Sequence, residues 1–232
     1  MKKIGIVIFI IAISIGVIAG NFFSFGRVAY RVFNINFVRG VQGSGVLATE
    51  KRDISGFNGV DVGGVFQVEM VAQKDYSVEV TADDNIVPMV KTCVSNGILK
   101  IQSDGRFSNS NPIRVRISAP NIESIRAAGA SKVTVSELKN SSVDVDTSGA
   151  SRVSLSGETS NLTIEVSGAS HIDAAALRAE NADVDASGAS NISVFATNRL
   201  SADASGASRI SYTGSPASVE KKASGASKIS QK

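Results

Sequence analysis

The side chains that carry most enzyme chemistry are scarce in this sequence. Its 232 residues include one Cys (Cys93), one His (His171) and no Trp. This excludes a disulfide framework and a Cys/His zinc cluster, and it leaves Cys93 with His171 as the one Cys/His catalytic pair to consider. Cys93 has apolar neighbours in a segment with brief helical spacing, which predicts a buried free thiol. The formal charge is +3, from 24 Lys and Arg against 21 Asp and Glu, and gives no reason to expect nucleic-acid binding.

The other candidate groups belong to a repeat in the second half of the chain. The triplet Gly-Ala-Ser occurs six times, at spacings of 20, 19, 20, 18 and 19 residues by subtraction; it begins at Gly129, Gly149, Gly168, Gly188, Gly206 and Gly225. Three residues after these glycines stand Lys132, Arg152, His171, Asn191, Arg209 and Lys228. Three residues before the middle four stand Asp146, Glu165, Asp185 and Asp203. Two surface columns of polar side chains are the candidate sites.

The elements that would hold these columns are predicted by the alternation inside each repeat. Positions four before, four after and six after each Gly are mostly apolar, whereas positions three before and three after are polar, so the first set points inward and the second outward. Length varies only in the stretch between successive modules. Such a unit predicts one coil of a parallel β-solenoid, with like residues stacked ~4.8 Å apart. Leucine-rich repeats need a Leu ladder, and propeller blades need about twice the length.

The predicted fold class is therefore all-β, a parallel β-solenoid (β-helix) with coils of about 19 residues. The domain is expected over residues 51–232, with regular coils over 121–232 and less regular short strands from Ile54 to Pro120. Asp83-Asp84-Asn85 precedes apolar residues at helical spacing and predicts one capped short helix. A Gly-punctuated linker is expected over residues 27–50.

The first residues predict export. Met1-Lys2-Lys3 is positively charged, and no charge follows until Arg27, so residues 1–26 are expected to be a signal peptide or a membrane anchor. Both alternatives stay open, since Val17 and Ala19 suit cleavage while the apolar run is long enough to span a bilayer uncleaved. We expect the periplasm, outer membrane or cell surface of a bacterium, with membrane contact only through this segment.

Several segments carry a family resemblance. Phe57–Gly64 (FNGVDVGG), Val78–Asn85 (VEVTADDN), Asn96–Ile101 (NGILKI) and the Ser-Gly-Ala-Ser repeats resemble the bacterial "putative auto-transporter adhesin, head GIN domain" family. The resemblance covers about residues 54–230 and implies an exported β-solenoid protein with an adhesin label and no catalytic residue set. Ala128 stands at the position of Ser148, Ser167, Ser187 and Ser205 in later copies, which predicts an imperfect transition coil.

The two columns are interpreted first as structure. His171 occupies a slot filled by Lys, Arg or Asn in the other coils, so a solvated surface residue is expected rather than a ligand or base. The acidic residues are expected to be screened structural charges, offset by the basic column if it lies within reach, rather than a calcium site. The calcium-binding nonapeptide repeat is absent. No cofactor and no metal are predicted.

The sequence favours a non-enzymatic exported module that binds a surface polysaccharide or an envelope protein. Nucleic acid is not expected as a partner. The alternative is a polysaccharide-active β-helix enzyme, a lyase or hydrolase, which would need clustered acids with a base or metal. Ice or crystal binding would need a flat Thr-rich array and is disfavoured. A monomer is expected, although oligomerisation stays open. Lys221 and Lys222 replace the apolar and acidic residues of earlier coils and predict a polar cap on the last coil.

Overall fold

The structure, a computed structural model, describes residues 40–232. The predicted signal or anchor over 1–26 and most of the expected linker lie outside the described residues. The strands are β1 Val41–Gln42, β2 Leu47–Arg52, β3 Gly59–Gly64, β4 Gln67–Val71, β5 Ser77–Asp83, β6 Val90–Ser95, β7 Ile98–Ser103, β8 Phe107–Ser108, β9 Arg114–Ser118, β10 Ser124–Gly129, β11 Lys132–Thr147, β12 Arg152–Val166, β13 His171–Ala186, β14 Asn191–Ala204, β15 Arg209–Thr213, β16 Ser218–Ala223 and β17 Lys228–Gln231. One 3₁₀ turn, Val87–Met89, interrupts them. Among the described residues no helix is long and apolar enough to cross a membrane.

The repeats form a parallel β-solenoid, as predicted. Strands β11 to β14 each follow most of one coil and pair in parallel with the next, so that Lys132, Arg152, His171 and Asn191 lie side by side in register. The inward positions are buried, with Ile164, Ile172 and Ile192 fully enclosed. The alternation of the sequence thus fixes which side chains form the core.

The Gly-Ala-Ser triplets form one tight edge of the stack. Gly168 has φ +95°, and a Cβ there would lie 2.5 Å from the carbonyl oxygen of Gly149 in the preceding coil. The same oxygen accepts the backbone N–H of Ala169 at 2.8 Å. The third residue of the triplet is buried in the first five copies, and its hydroxyl donates to backbone carbonyls, as from Ser131 to Gly64 at 3.0 Å. Close stacking therefore requires glycine at this edge.

One coil of the solenoid is hidden in the sequence. Gly64 pairs with Gly129, and Gln67 with Lys132, so Gly64-Val65-Phe66 occupies the place of a Gly-Ala-Ser triplet. The copy with Ala128 is the one that stacks on this divergent coil, where Ala128 lies opposite Gly63. The stack does not follow chain order, because β7 and β9 pair with the far side of β3 and β4. Antiparallel pairing of β2 with β5, β5 with β9 and β6 with β7 closes this end.

The expectation of a linker up to residue 50 is wrong for its last part. Strand β1 pairs with β8, and β2 pairs with β5. The buried Asp83 carboxylate accepts hydrogen bonds from Ser110 N at 2.9 Å and Asn111 Nδ2 at 2.6 Å. Asn85 donates to the Gln42 carbonyl at 2.8 Å. Asn111 also donates to the Gly45 carbonyl at 3.3 Å, so Asn85 and Asn111 hold the incoming chain and the folded body includes residues 40–50.

Asp83, Asp84 and Asn85 do not cap a helix in the way the sequence predicts. The 3₁₀ turn at Val87–Met89 has Ile86 at its N-cap position, with no side-chain capping hydrogen bond. Cys93 lies on strand β6 and is exposed, so the prediction of a buried thiol in a helical stretch is wrong. Among the described strands β6 pairs only with β7, which places it at the edge of the described sheet.

Candidate binding faces

The first candidate face carries the basic column, defined as Lys132, Arg152, His171, Asn191, Arg209 and Lys228. These residues are paired one to the next along β11, β12, β13, β14, β15 and β17. All are exposed except His171, which is partly buried and lies 3.2 Å from the Asn191 amide nitrogen through Nδ1. Gln67 and Arg114 extend the column by two positions at the N-terminal end. The structure therefore places all six predicted residues in one line.

A second line of residues, partly or fully exposed except for the buried Ser211, runs beside the basic column, two residues further along each strand. We call it the hydroxyl column: Thr134, Ser154, Asp173, Ser193, Ser211 and Ser230. The hydroxyls of Ser193 and Ser211 lie 3.0 Å apart. Sequence reasoning missed this column, although the serines two residues after the basic positions give its signal.

A shallow groove of about 330 Å³ lies between the basic column and the Gly-Ala-Ser edge. It is lined by Ala130, Ser131, Lys132, Ala150, Ser151, Arg152, Ala169 and His171. The alanines of the edge are exposed, and their side chains are single methyl groups. The edge therefore carries only small side chains, and a ligand can approach the basic side chains from that side.

The second candidate face carries the acidic column, Asp146, Glu165, Asp185 and Asp203. These four residues are paired in succession, with Arg126 before them and Lys222 after them. Asp144 and Asp183 add carboxylates two residues earlier on the same face. A groove of about 260 Å³ follows this face near Arg126, Asp144 and Glu165. All six carboxylates are exposed to solvent, which screens their repulsion.

The expectation that the basic column offsets the acidic column is wrong. Within residues 40–232 the ion pairs are Arg52–Glu50, Lys74–Glu137, Arg116–Glu69 and Lys222–Glu220. None of them joins the two columns, because the columns lie on opposite sides of the Gly-Ala-Ser edge. In line with the acidic column, opposite charge lies at its two ends, on Arg126 and Lys222. The protein thus presents one basic face and one acidic face.

Neither face brings reactive groups together. Cys93 lies on β6 and His171 on β13, six places apart in the strand order, which is roughly 30 Å at ~4.8 Å per strand, so they cannot act as a pair. Across the part of the chain that the structure describes, no three His, Cys, Asp or Glu side chains are grouped closely enough to hold a metal ion. The two faces offer an extended surface with charged side chains repeated from coil to coil.

The C-terminal coil departs from the others at the position that should point inward. Lys221 is exposed, and its Nζ lies 4.6 Å from the centre of the buried Tyr212 ring. Lys222 pairs with Glu220 at 3.0 Å. The hydrogen bond from Lys222 lowers the pKa of Glu220, and the same contact raises the pKa of Lys222. The Lys221 ammonium therefore lies over the end of the core, beside the Lys222–Glu220 ion pair.

Comparison with known proteins gives a family and a fold. The family model described as "Putative auto-transporter adhesin, head GIN domain" matches residues 56–216. A crystal structure of a "putative adhesin" from Bacteroides fragilis is 22% identical with a TM-score of 0.71, covering 83% of this chain and 100% of that chain. A "putative lipid binding protein" from Parabacteroides distasonis is 20% identical with a TM-score of 0.54, covering 84% of this chain and 100% of that one. A "putative adhesin" from Parabacteroides merdae is 19% identical with a TM-score of 0.54, over the same shares of the two chains. No curated protein matches significantly. At these identities the solved structures support the fold alone.

Proposed function

The chain belongs to the family described as putative auto-transporter adhesin, head GIN domain, and from this premise we propose that it is a non-enzymatic binding module of the bacterial envelope or cell surface. The names of the family and of two solved neighbours suggest an adhesin-like protein of the cell surface. The finer statement, that it binds a surface polysaccharide or an envelope protein through a solenoid face, is our proposal.

The observation that carries this proposal is the pair of continuous polar columns. Each runs along the stack in register from coil to coil, and neither leads into a pocket with convergent reactive groups. Such a surface suits many weak contacts with a long partner, whereas catalysis needs a few groups placed around one reacting bond. The structure therefore favours binding over turnover.

The ligand is tested by retention on isolated envelopes and on a glycan array. Full-length protein in a neutral detergent should be retained by bacterial envelope preparations or by particular surface glycans, and should be released when the soluble glycan is added. A protein that is retained by neither would contradict the proposed function.

The cellular location is tested separately. We propose that residues 1–26 direct export, so the full chain should fractionate with the envelope, whereas a chain starting at Gly40 should stay soluble in the cytoplasm. Gly40 is the appropriate start because β1 and β2 pair with β8 and β5. If the shortened chain also sediments with membranes, a surface other than the first segment binds lipid.

A further inference from the structure

We propose that the face with the basic column binds a linear acidic polysaccharide lengthwise, along the stacking axis. The inference rests on the proposed function and names the class of ligand and the face that takes it. It starts from the charge of the basic column, which the protein itself leaves unneutralised. None of the ion pairs within residues 40–232 involves Lys132, Arg152, Arg209 or Lys228. Over the same coils the hydroxyl column contributes one carboxylate, Asp173.

The spacing of the column fits a polymer. Its six positions are paired in succession, so they follow one another at ~4.8 Å and extend over roughly 24 Å. A small anion would engage one or two cations and gain little at an exposed site. A linear polyanion bridges the four charged positions, Lys132, Arg152, Arg209 and Lys228, at once, and each contact after the first is intramolecular. A long charged chain is therefore the ligand that this repeat favours.

The neighbouring side chains favour a sugar polymer. Thr134, Ser154 and Ser193 of the hydroxyl column can both donate to and accept from sugar hydroxyls. The two columns contain no Phe, Tyr or Trp. Phe195, two residues beyond Ser193, is half-buried and has the Arg178 guanidinium over its ring, so the bases of single-stranded nucleic acid find no row of stacking platforms along the columns. None of the large exposed apolar side chains of residues 40–232 belongs to either column, which disfavours insertion into lipid.

The acidic face restricts the polysaccharide to the basic face. The acidic column, with Asp144 and Asp183, repels a polyanion. The polysaccharide therefore binds on only one side of the Gly-Ala-Ser edge, the side with the basic column. The small side chains of the Gly-Ala-Ser edge, such as Ala130 and Ala150, leave room for the polymer next to the basic side chains.

The test is a titration of full-length protein, in neutral detergent, with fluorescently labelled polygalacturonate followed by anisotropy. We compare the wild type with Arg152→Ser/Arg209→Ser. At low ionic strength the double variant should bind roughly five- to twentyfold more weakly, from two exposed charge pairs. Wild-type binding should weaken as salt rises, and less steeply for the variant. Unchanged thermal unfolding would show that both proteins are folded.

The matched control is Lys91→Ser/Lys139→Ser, which removes the same charge from exposed residues of β6 and β11 that lie outside both columns. Its affinity should stay within about twofold of the wild type, since neither side chain can form a close ion pair with a polymer that lies on the basic column. Equal weakening in both double variants would show an effect of net charge and overturn the inference. Equally tight binding of a single-stranded oligonucleotide at the same salt would overturn the assignment to a polysaccharide.

The two proposals can fail separately. If polygalacturonate does not bind while the protein is still retained by envelopes or neutral glycans, the inference about the basic face is wrong and the proposed function stands. If nothing retains the protein, both are wrong.

Discussion

Replacement of Gly168 by Ala tests whether close stacking at the Gly-Ala-Ser edge holds the solenoid together. Gly168 has φ +95°, a region that costs an L-residue about 1–3 kcal/mol. The new Cβ would lie 2.5 Å from the Gly149 carbonyl oxygen, closer than two such atoms can approach. The coils must then separate locally, which strains the 2.8 Å hydrogen bond from Ala169 N to that oxygen, worth about 1 kcal/mol. We expect Gly168→Ala to lose roughly 2–5 kcal/mol of unfolding free energy.

Two other glycines separate the parts of this cost. Gly56 has φ +76°, but a Cβ there meets nothing within 4 Å, so Gly56→Ala should lose only the backbone part, about 1–2 kcal/mol. Gly63 lies in β3 without positive φ, and a Cβ there would contact Gln102 Cγ at an ordinary 3.8 Å. Gly63→Ala should be neutral or stabilise by up to about 1 kcal/mol.

The assay is urea unfolding, monitored by circular dichroism. The unfolding free energies of the three variants are compared where the dependence of that free energy on urea concentration, the m value, is the same. The expected order of stability is Gly63→Ala, then Gly56→Ala, then Gly168→Ala. Equal losses for Gly168→Ala and Gly56→Ala would refute the reasoning, because contact between coils would then add nothing to the backbone cost.

Three further predictions concern the core, the N-terminal end and the C-terminal end. Replacement of the fully buried Ile172 by Asp should destabilise the protein by more than about 3 kcal/mol, since an unpaired carboxylate would enter the core, whereas outward Arg152→Ser should cost less than about 0.5 kcal/mol; equal shifts in melting temperature would show that the assignment of faces is wrong. Hydrogen bonds from Asn111 and Ser110 lower the pKa of Asp83 below 3.8, so its stabilisation should be present above that pH and be lost as pH falls through the lowered value. The gap in unfolding midpoint between wild type and Asp83→Asn should accordingly narrow below pH 3.8, with Asp144→Asn as the exposed control, and a gap independent of pH would contradict this role. Within residues 40–232, strands β16 and β17 each pair on one side only, so Lys221→Val, which removes the charge over Tyr212, should give particles that grow with concentration in light scattering. Lys222→Ser should not do so, and a wild type that is already dimeric would contradict the prediction of a polar cap.

The regular coils were predictable because their signal is local and repeated. The period-two alternation around each Gly-Ala-Ser triplet identifies Ile172 as buried and Arg152 as exposed, and the structure confirms both. The coil at Gly64 was not found, since Val65 and Phe66 replace Ala and Ser and only pairing with Gly129 shows the equivalence.

The N-terminal end was predictable only in part, because its pairing is not sequential. Asp83 and Asn85 carry a helix-capping pattern, yet their partners are Asn111 and Gln42, far along the chain. The same holds for the candidate faces. The residues of both columns follow from the repeat, but the extension of the basic column by Gln67 and Arg114 depends on long-range register.

The measurement that tests the central claim most directly is incubation of the full-length protein with polyuronates, with and without calcium, while bound and cleaved polymer are measured in the same samples. A non-enzymatic binding module should bind polymer without shortening it under either condition. Turnover that is abolished by Asp146→Asn/Asp185→Asn would contradict this account, because it would make the acidic column a catalytic site.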